Sequence, residues 1–84
     1  MSVRTFARRF REELGTSPSR WLLQQRLDLA RRLLETTALS IERVADKAGF
    51  GTATAMRQHL STELGVSPSA YRRAFQAEPM TAAP

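Results

Sequence analysis

Apolar positions in this 84-residue chain recur with helical period in five stretches, parted by glycine, proline and hydroxyl residues. The stretch from Ser40 to Leu64 organises the others. Ser40 suits an N-cap, and Ile41, Val44, Ala45 and Ala48 follow at i, i+3, i+4 and i+7 on one helical face. Gly49 stands where that helix must stop, since only glycine takes a left-handed cap without steric cost. Phe50 is expected to bury the turn, Thr52 to cap a second helix, and Met56, Leu60 and Leu64 to form its inward stripe. Small Ala45 lets that second helix pack close across the first. The outline is a helix-turn-helix, although a plain αα-hairpin shares it.

Before this stretch, Ser2 is expected to cap a helix running to Leu14, with Phe6, Phe10 and Leu14 buried and Gly15 as its stop. Ser17-Pro18 then restarts the chain with a cap and an N1 proline. No Gly or Pro follows until about Thr36, which predicts a helix of about 19 residues, roughly 28 Å long. Leu23, Leu27, Ala30 and Leu34 form one apolar row, with Leu22, Leu29 and Leu33 beside it. Two rows imply cover from two sides, as in a linker between two packing units. Thr36 to Leu39 is a short connector. Gly65 closes the helix that begins after Thr52, and Ser67-Pro68 opens a last one with Tyr71, Ala74 and Phe75 inward. Residues 77–84 lose the period, so the folded part is expected over 1–77 and a disordered tail over 78–84.

At an offset of 50 the chain repeats itself. Glu13-Leu14-Gly15-Thr16-Ser17-Pro18-Ser19 matches Glu63-Leu64-Gly65-Val66-Ser67-Pro68-Ser69 at six of seven positions. Phe6 pairs with Met56, Phe10 with Leu60, and Trp21 with Tyr71. The chain thus carries two copies of one supersecondary unit. The counterpart of the helix at 40–48 would fall ahead of Met1, which stands opposite Gly51. The chain is therefore expected to begin inside a helix-turn-helix, as a fragment or from a start placed downstream. Phe6 and Phe10 would then lack one packing partner.

Charge sharpens this picture. Thirteen Lys+Arg against eight Asp+Glu leave a net +5, and only Lys47 among the cations is not arginine. Residues 1–32 hold the whole excess, eight arginines against Glu12, Glu13 and Asp28, whereas residues 33–84 balance to zero. A basic balance of this kind favours a polyanion, nucleic acid first, and arginine suits bidentate phosphate and guanine contacts. A solvated, arginine-rich surface is the plainer alternative. Arg4, Arg8 and Arg11 project at least roughly 90° from the apolar stripe of their helix. At that spacing like charges repel, and an anionic ligand would relieve them.

The two copies differ in what they present. Arg4, Arg8 and Arg11 correspond to Thr54, Gln58 and Ser61. The first set reaches guanine O6/N7 or phosphate; the second offers neutral hydrogen bonds. Arg57 adds one cation on the flank. A linker near 28 Å could set the two helices about one turn of B-DNA apart, roughly 34 Å. Caps such as Ser2, Thr16, Ser17 and Thr52 leave N–H groups that could bind phosphate, or they simply end helices.

The pattern of a recognition helix, Gly-x-Ser-Pro, and a leucine-rich linker with Arg26, Ala30 and Leu33-Leu34 resembles the AraC/XylS family of bacterial transcription regulators. So do the Ile-Glu-Arg-Val-Ala-x-x-x-Gly-Phe from Ile41 and the closing Gly-x-Ser-Pro-x-x-Tyr-Arg from Gly65. The resemblance covers about residues 1–76. It is closest to members whose sensing half is a glutamine-amidotransferase-like domain, a half this chain does not contain. It implies an all-α fold of two homeodomain-like helix-turn-helix subdomains: a remnant of the first over 1–17, a linker helix over 18–36, and the second over 37–77. The first would lack its opening helices. It also implies sequence-specific binding of double-stranded DNA, with RNA polymerase as a further partner. Carried over by position, the DNA-facing residues are Arg4, Ala7 and Arg8, with Ser2, Thr5 and Arg11 nearby, then Ala53, Thr54, Arg57 and Gln58, with Thr52 at the helix start. Ala53 and Ala55 depart from the family pattern and weaken readout by the second unit.

Other classes find less support. With one histidine, no cysteine and no spaced carboxylate pair, no enzyme, metal site or cofactor is expected. His59 reads as a packing or phosphate-proximal residue. Ser17 and Ser67 precede proline as caps and make poor nucleophiles. Trp21 and Tyr71 read as core anchors. No run approaches the roughly 18 apolar residues of a membrane span, and no signal-peptide pattern opens the chain, which fits a cytoplasmic protein. Two alternatives stay open: a helical protein-interaction module, and a fragment that binds DNA without sequence preference.

Overall fold

The computed structural model describes residues 2–82, and side-chain surroundings as far as Gln76. Among these residues the chain is all helix: α1 Val3–Leu14, α2 Pro18–Thr36, α3 Ile41–Ala48, α4 Ala53–Leu64 and α5 Pro68–Ala82. The starts follow from side chains that act within three residues. Ser2, Ser17, Ser40, Thr52 and Ser67 each accept the backbone N–H three residues on, at 3.1–3.2 Å. Such caps contribute about 1 kcal/mol each.

The stop between α3 and α4 is a Schellman turn. Phe50 N–H donates to Ala45 O at 2.9 Å and Gly49 N–H to Asp46 O at 3.2 Å, with Gly49 at φ +92°. The positive φ requires glycine there, and a Cβ would in addition stand 3.2 Å from Arg26 Nε, so that the Arg26 side chain would have to shift.

The core lies at one end of an elongated molecule. Leu27, Ala30 and Leu34 of α2, Val44, Ala45 and Ala48 of α3, and Met56 and Leu60 of α4 form one buried cluster, edged by Leu23, Leu29, Leu33, Leu39, Ile41, Phe50 and Tyr71. No α1 residue is buried. The molecule measures 56 × 26 × 19 Å, and its radius of gyration is 15.7 Å. A compact chain of this length would have about 12 Å. α2 joins the ends: α3 and α5 both pack against it, while α1 meets its first turns through Phe10 edge-on to Trp21, centroids 6.0 Å apart.

Several apolar positions are not where the pattern put them. Phe6 and Leu14, expected to be buried, are 49% and 57% exposed, and Phe10 is half-buried. Trp21 and Leu22 are exposed as well. Their stripe is sound, but no second helix lies on it among the described residues. Leu64 at the end of α4 is also exposed. In α5, Ala74 and Phe75 face solvent rather than inward, with Phe75 stacked on Tyr71 at 6.5 Å. The inward face of α5 is Pro68, Tyr71 and Arg72: Pro68 is buried, Tyr71 edges the core, and Arg72 meets carbonyls at the end of α2 and in the connector. α5 also runs past residue 77 to Ala82, where a tail was expected; a backbone ladder needs no apolar stripe, although Pro79 removes one donor from it. Residues 83 and 84 lie outside the described residues.

Candidate nucleic-acid interface

α1 is held at both ends by its own sequence, Ser2 at the start and the left-handed Gly15 at the stop, so its polar face is set by period alone. That face carries Arg4, Arg8 and Arg11, all exposed. Together with Ala7 and Glu12 they line an open groove, and Ser2, Thr5, Arg4 and Arg8 line a second beside it. Among the described residues the ion pairs are Arg20–Glu63 and Arg31–Asp28, and neither involves α1. The three guanidiniums are therefore exposed and without an ion pair among the described residues, and like charges at that spacing repel. Ser2 and Thr5 are partly spent: the Ser2 hydroxyl accepts from Thr5 N–H and donates to Thr5 Oγ1 at 2.8 Å.

α4 presents the matching face of the second unit. Thr54, Arg57, Gln58 and Ser61 are exposed, and Arg57, Gln58, His59, Ser61 and Thr62 line an open groove. Ala53 and Ala55 are half-buried. Thr52 accepts from Ala55 N–H, so its oxygen serves the cap. The expected residues thus gather on two helix faces, one cationic and one almost neutral. His59 stacks on Phe50, centroids 5.6 Å apart, which gives it a packing role in the turn. No group of three His, Cys, Asp or Glu able to hold a metal occurs among the described residues, and no described helix is long and apolar enough to cross a membrane.

What holds α4 and α5 to α2 and the connector involves groups that local pattern did not reveal. Arg20 in the first turn of α2 donates to both carboxylate oxygens of Glu63 near the end of α4. Arg72 donates to Leu39 O at 2.6 Å, Thr37 O at 3.2 Å and Leu34 O at 3.3 Å, and Gln76 adds bonds to Leu34 O and Thr37 O. These carbonyls at the end of α2 and in the connector have no helical partner of their own. The Tyr71 hydroxyl donates to Glu35 and accepts from Arg31 Nε, and that bond holds the Arg31 guanidinium above its ordinary pKa. The pairs lie 33 to 43 residues apart, beyond the reach of local spacing. The one available signal was the Ser-Pro-x-x-Tyr-Arg ending, where Arg72 replaces the Leu22 of the first copy.

Comparison with known proteins places the chain among DNA-associated domains. A family model described as a helix-turn-helix domain matches residues 1–74. The chain is 43% identical over 75 residues to the HTH-type transcriptional regulator Rv1931c of Mycobacterium tuberculosis, covering 89% of this chain and 29% of that protein. It is 41% identical over 73 residues to the transcriptional activator NphR of a Rhodococcus species, covering 87% of this chain and 22% of that one. The chain therefore spans less than a third of the length of these relatives. Among solved structures, the DNA-binding domain of AdpA, a global transcriptional factor in complex with a target DNA, superposes with a TM-score of 0.89 at 49% identity, over 93% of this chain and 70% of that one. The C-terminal domain of the response regulator YesN of Fusobacterium nucleatum gives 0.82 at 26% identity, over 86% and 70%.

Proposed function

The chain belongs to the AraC-type helix-turn-helix family, and we propose that it binds double-stranded DNA sequence-specifically as the DNA-binding part of a bacterial transcription regulator. The observation that carries this reading is the exposed arginine face of α1, on a fold that superposes on a domain solved with its target DNA. α1 and α4 are the recognition helices and enter successive major grooves about one turn apart, roughly 34 Å. Arg4 and Arg8 reach guanine O6/N7, Ala7 admits close approach to the bases, and Arg11 lies toward phosphate. In α4, Gln58 suits the N6/N7 edge of adenine, Thr54 and Ala53 line the base edges, and Arg57 adds a cation. The N-terminal amides behind Ser2 and Thr52 face the backbone. Most sequence information is read under α1, and α4 adds a weaker half.

The rest of the regulator follows from the same resemblance: a glutamine-amidotransferase-like sensing domain, contact with RNA polymerase, and action in the cytoplasm. A non-catalytic role is part of the same reading, supported by the family match and by relatives named as transcriptional regulators.

The test is a fluorescence-anisotropy titration against a randomised GC-rich duplex pool at two salt concentrations, with selection of the retained sequences. A steep salt dependence and an enriched motif two major grooves long are expected. Salt-dependent binding without enrichment would reduce the chain to a non-specific fragment. No binding at low salt would overturn the reading.

A further inference from the structure

Arg20 and Glu63 belong to different copies of the repeated unit, and the bond between them has no counterpart within either copy. Glu63 corresponds to Glu13, and Arg20 to Ala70. Glu13 forms no ion pair among the described residues, whereas Glu63 accepts from both terminal nitrogens of Arg20, at 2.7 and 3.1 Å. This fork sits where the fold is least held. The buried cluster grips α2 from Leu27 onward; ahead of it Leu23 edges the core, and Trp21 and Leu22 are exposed. α1 packs mainly on this projecting start of α2. Among the described residues, no other side-chain hydrogen bond joins the chain ahead of Leu27 to the second unit.

From Pro18 to Leu27 the projecting helix is about 14 Å long. A tilt of about 10° at Leu27 would move its start by about 2 Å, and α1, which lies farther out, by more. Packing alone leaves helix crossing angles scattered over roughly 15–20°. The rise of B-DNA is about 3.4 Å per base pair, so an unbraced α1 would span neighbouring registers of the duplex. A bidentate fork removes that freedom, since two parallel bonds fix an angle as well as a distance. Because Arg20 is half exposed, the fork adds little to stability, yet its geometry is no looser for that. We propose that Arg20 and Glu63 are a positioning pair that sets how α1 stands relative to α4 and thereby, on the reading of both as recognition helices, the one half-site spacing the chain accepts.

The test uses the full chain, which holds no cysteine, so spin labels go only where a cysteine is introduced. Glu12→Cys on α1 and Lys47→Cys on α3 are both exposed sites, and α3 shares the buried cluster with α4. Double electron–electron resonance between them, without DNA, is expected to give a narrow distance distribution. Glu63→Gln should broaden it, and Arg20→Glu combined with Glu63→Arg should narrow it again, which a merely unfolded variant could not do. Equal widths with and without Glu63→Gln would overturn the proposal. On DNA, the duplex retained by selection is compared with versions one base pair longer or shorter between its half-sites. The unaltered chain should lose affinity by about tenfold or more on both, and the Glu63→Gln chain by about threefold or less. Glu63→Gln that instead tightens binding equally at every spacing would also overturn the pair's role, making the carboxylate only a shield of Arg20. A selection that retains no paired half-sites would fail the DNA reading alone, and the label distances would still decide whether the fork braces α1.

Discussion

Arg20 and Glu63 clasp one another across 43 residues of sequence, with Nη1 2.7 Å from Oε1 and Nη2 3.1 Å from Oε2. The pair ties the first turn of α2 to the end of α4. Fork-to-fork geometry fixes the angle as well as the distance.

Removing this clasp with Glu63→Gln is expected to cost less than about 1 kcal/mol, because the Arg20 side chain is half exposed. The loss should shrink at about 1 M salt, where screening is nearly complete. Glu13 occupies the equivalent place in the first copy and forms no ion pair among the described residues. Glu13→Gln should therefore leave the urea midpoint unchanged, and equal effects of the two changes would contradict the assignment.

Arg72 is a different case. Its guanidinium answers three carbonyls at the end of α2 and in the connector. Arg72→Ala is expected to destabilise the fold by about 2–4 kcal/mol, since part-buried acceptors lose charged donors. Arg72→Lys should recover only a minor share, because an ammonium cannot span three acceptors as a planar fork does. Chemical denaturation with both variants separates geometry from charge.

Gly49 and Gly15 both adopt positive φ, +92° and +74°, but only Gly49 has a neighbour within contact distance. Gly15→Ala should cost the backbone strain alone, about 1–2 kcal/mol. Gly49→Ala should cost more, because its Cβ meets Arg26 Nε at 3.2 Å. The excess should vanish in an Arg26→Ala background. Thermal melts of the four variants close that cycle.

For DNA, Arg8→Ala is expected to weaken binding by about 1–3 kcal/mol on the selected site and to relax preference at one base pair. Equal losses on every duplex, with a salt slope lower by about one, would make Arg8 a phosphate contact instead.

The sequence by itself determined where the helices begin and where the first four of them end. Ser17-Pro18 marked the start of α2, whose end was expected at about Thr36, and Ser40 with Gly49 bounded α3. Caps, turns and helical period act through hydrogen bonds and sterics within a few residues, so local order carries them. The same locality placed Arg4, Arg8 and Arg11 together on one face, and Thr54 and Gln58 on another. It failed where the answer lay on a different element. Phe6 and Met56 sit at equivalent points of equivalent stripes, and one is half exposed while the other is buried. Ala74 and Phe75 followed a sound pattern and faced water, because Arg72 and Tyr71 bind polar groups of α2. Burial is a property of two surfaces, and a stripe specifies only one of them. Only the tertiary structure decided which stripes are covered, and which cations, Arg20 and Arg72, are spent on the fold while Arg4, Arg8 and Arg11 of α1 stay exposed.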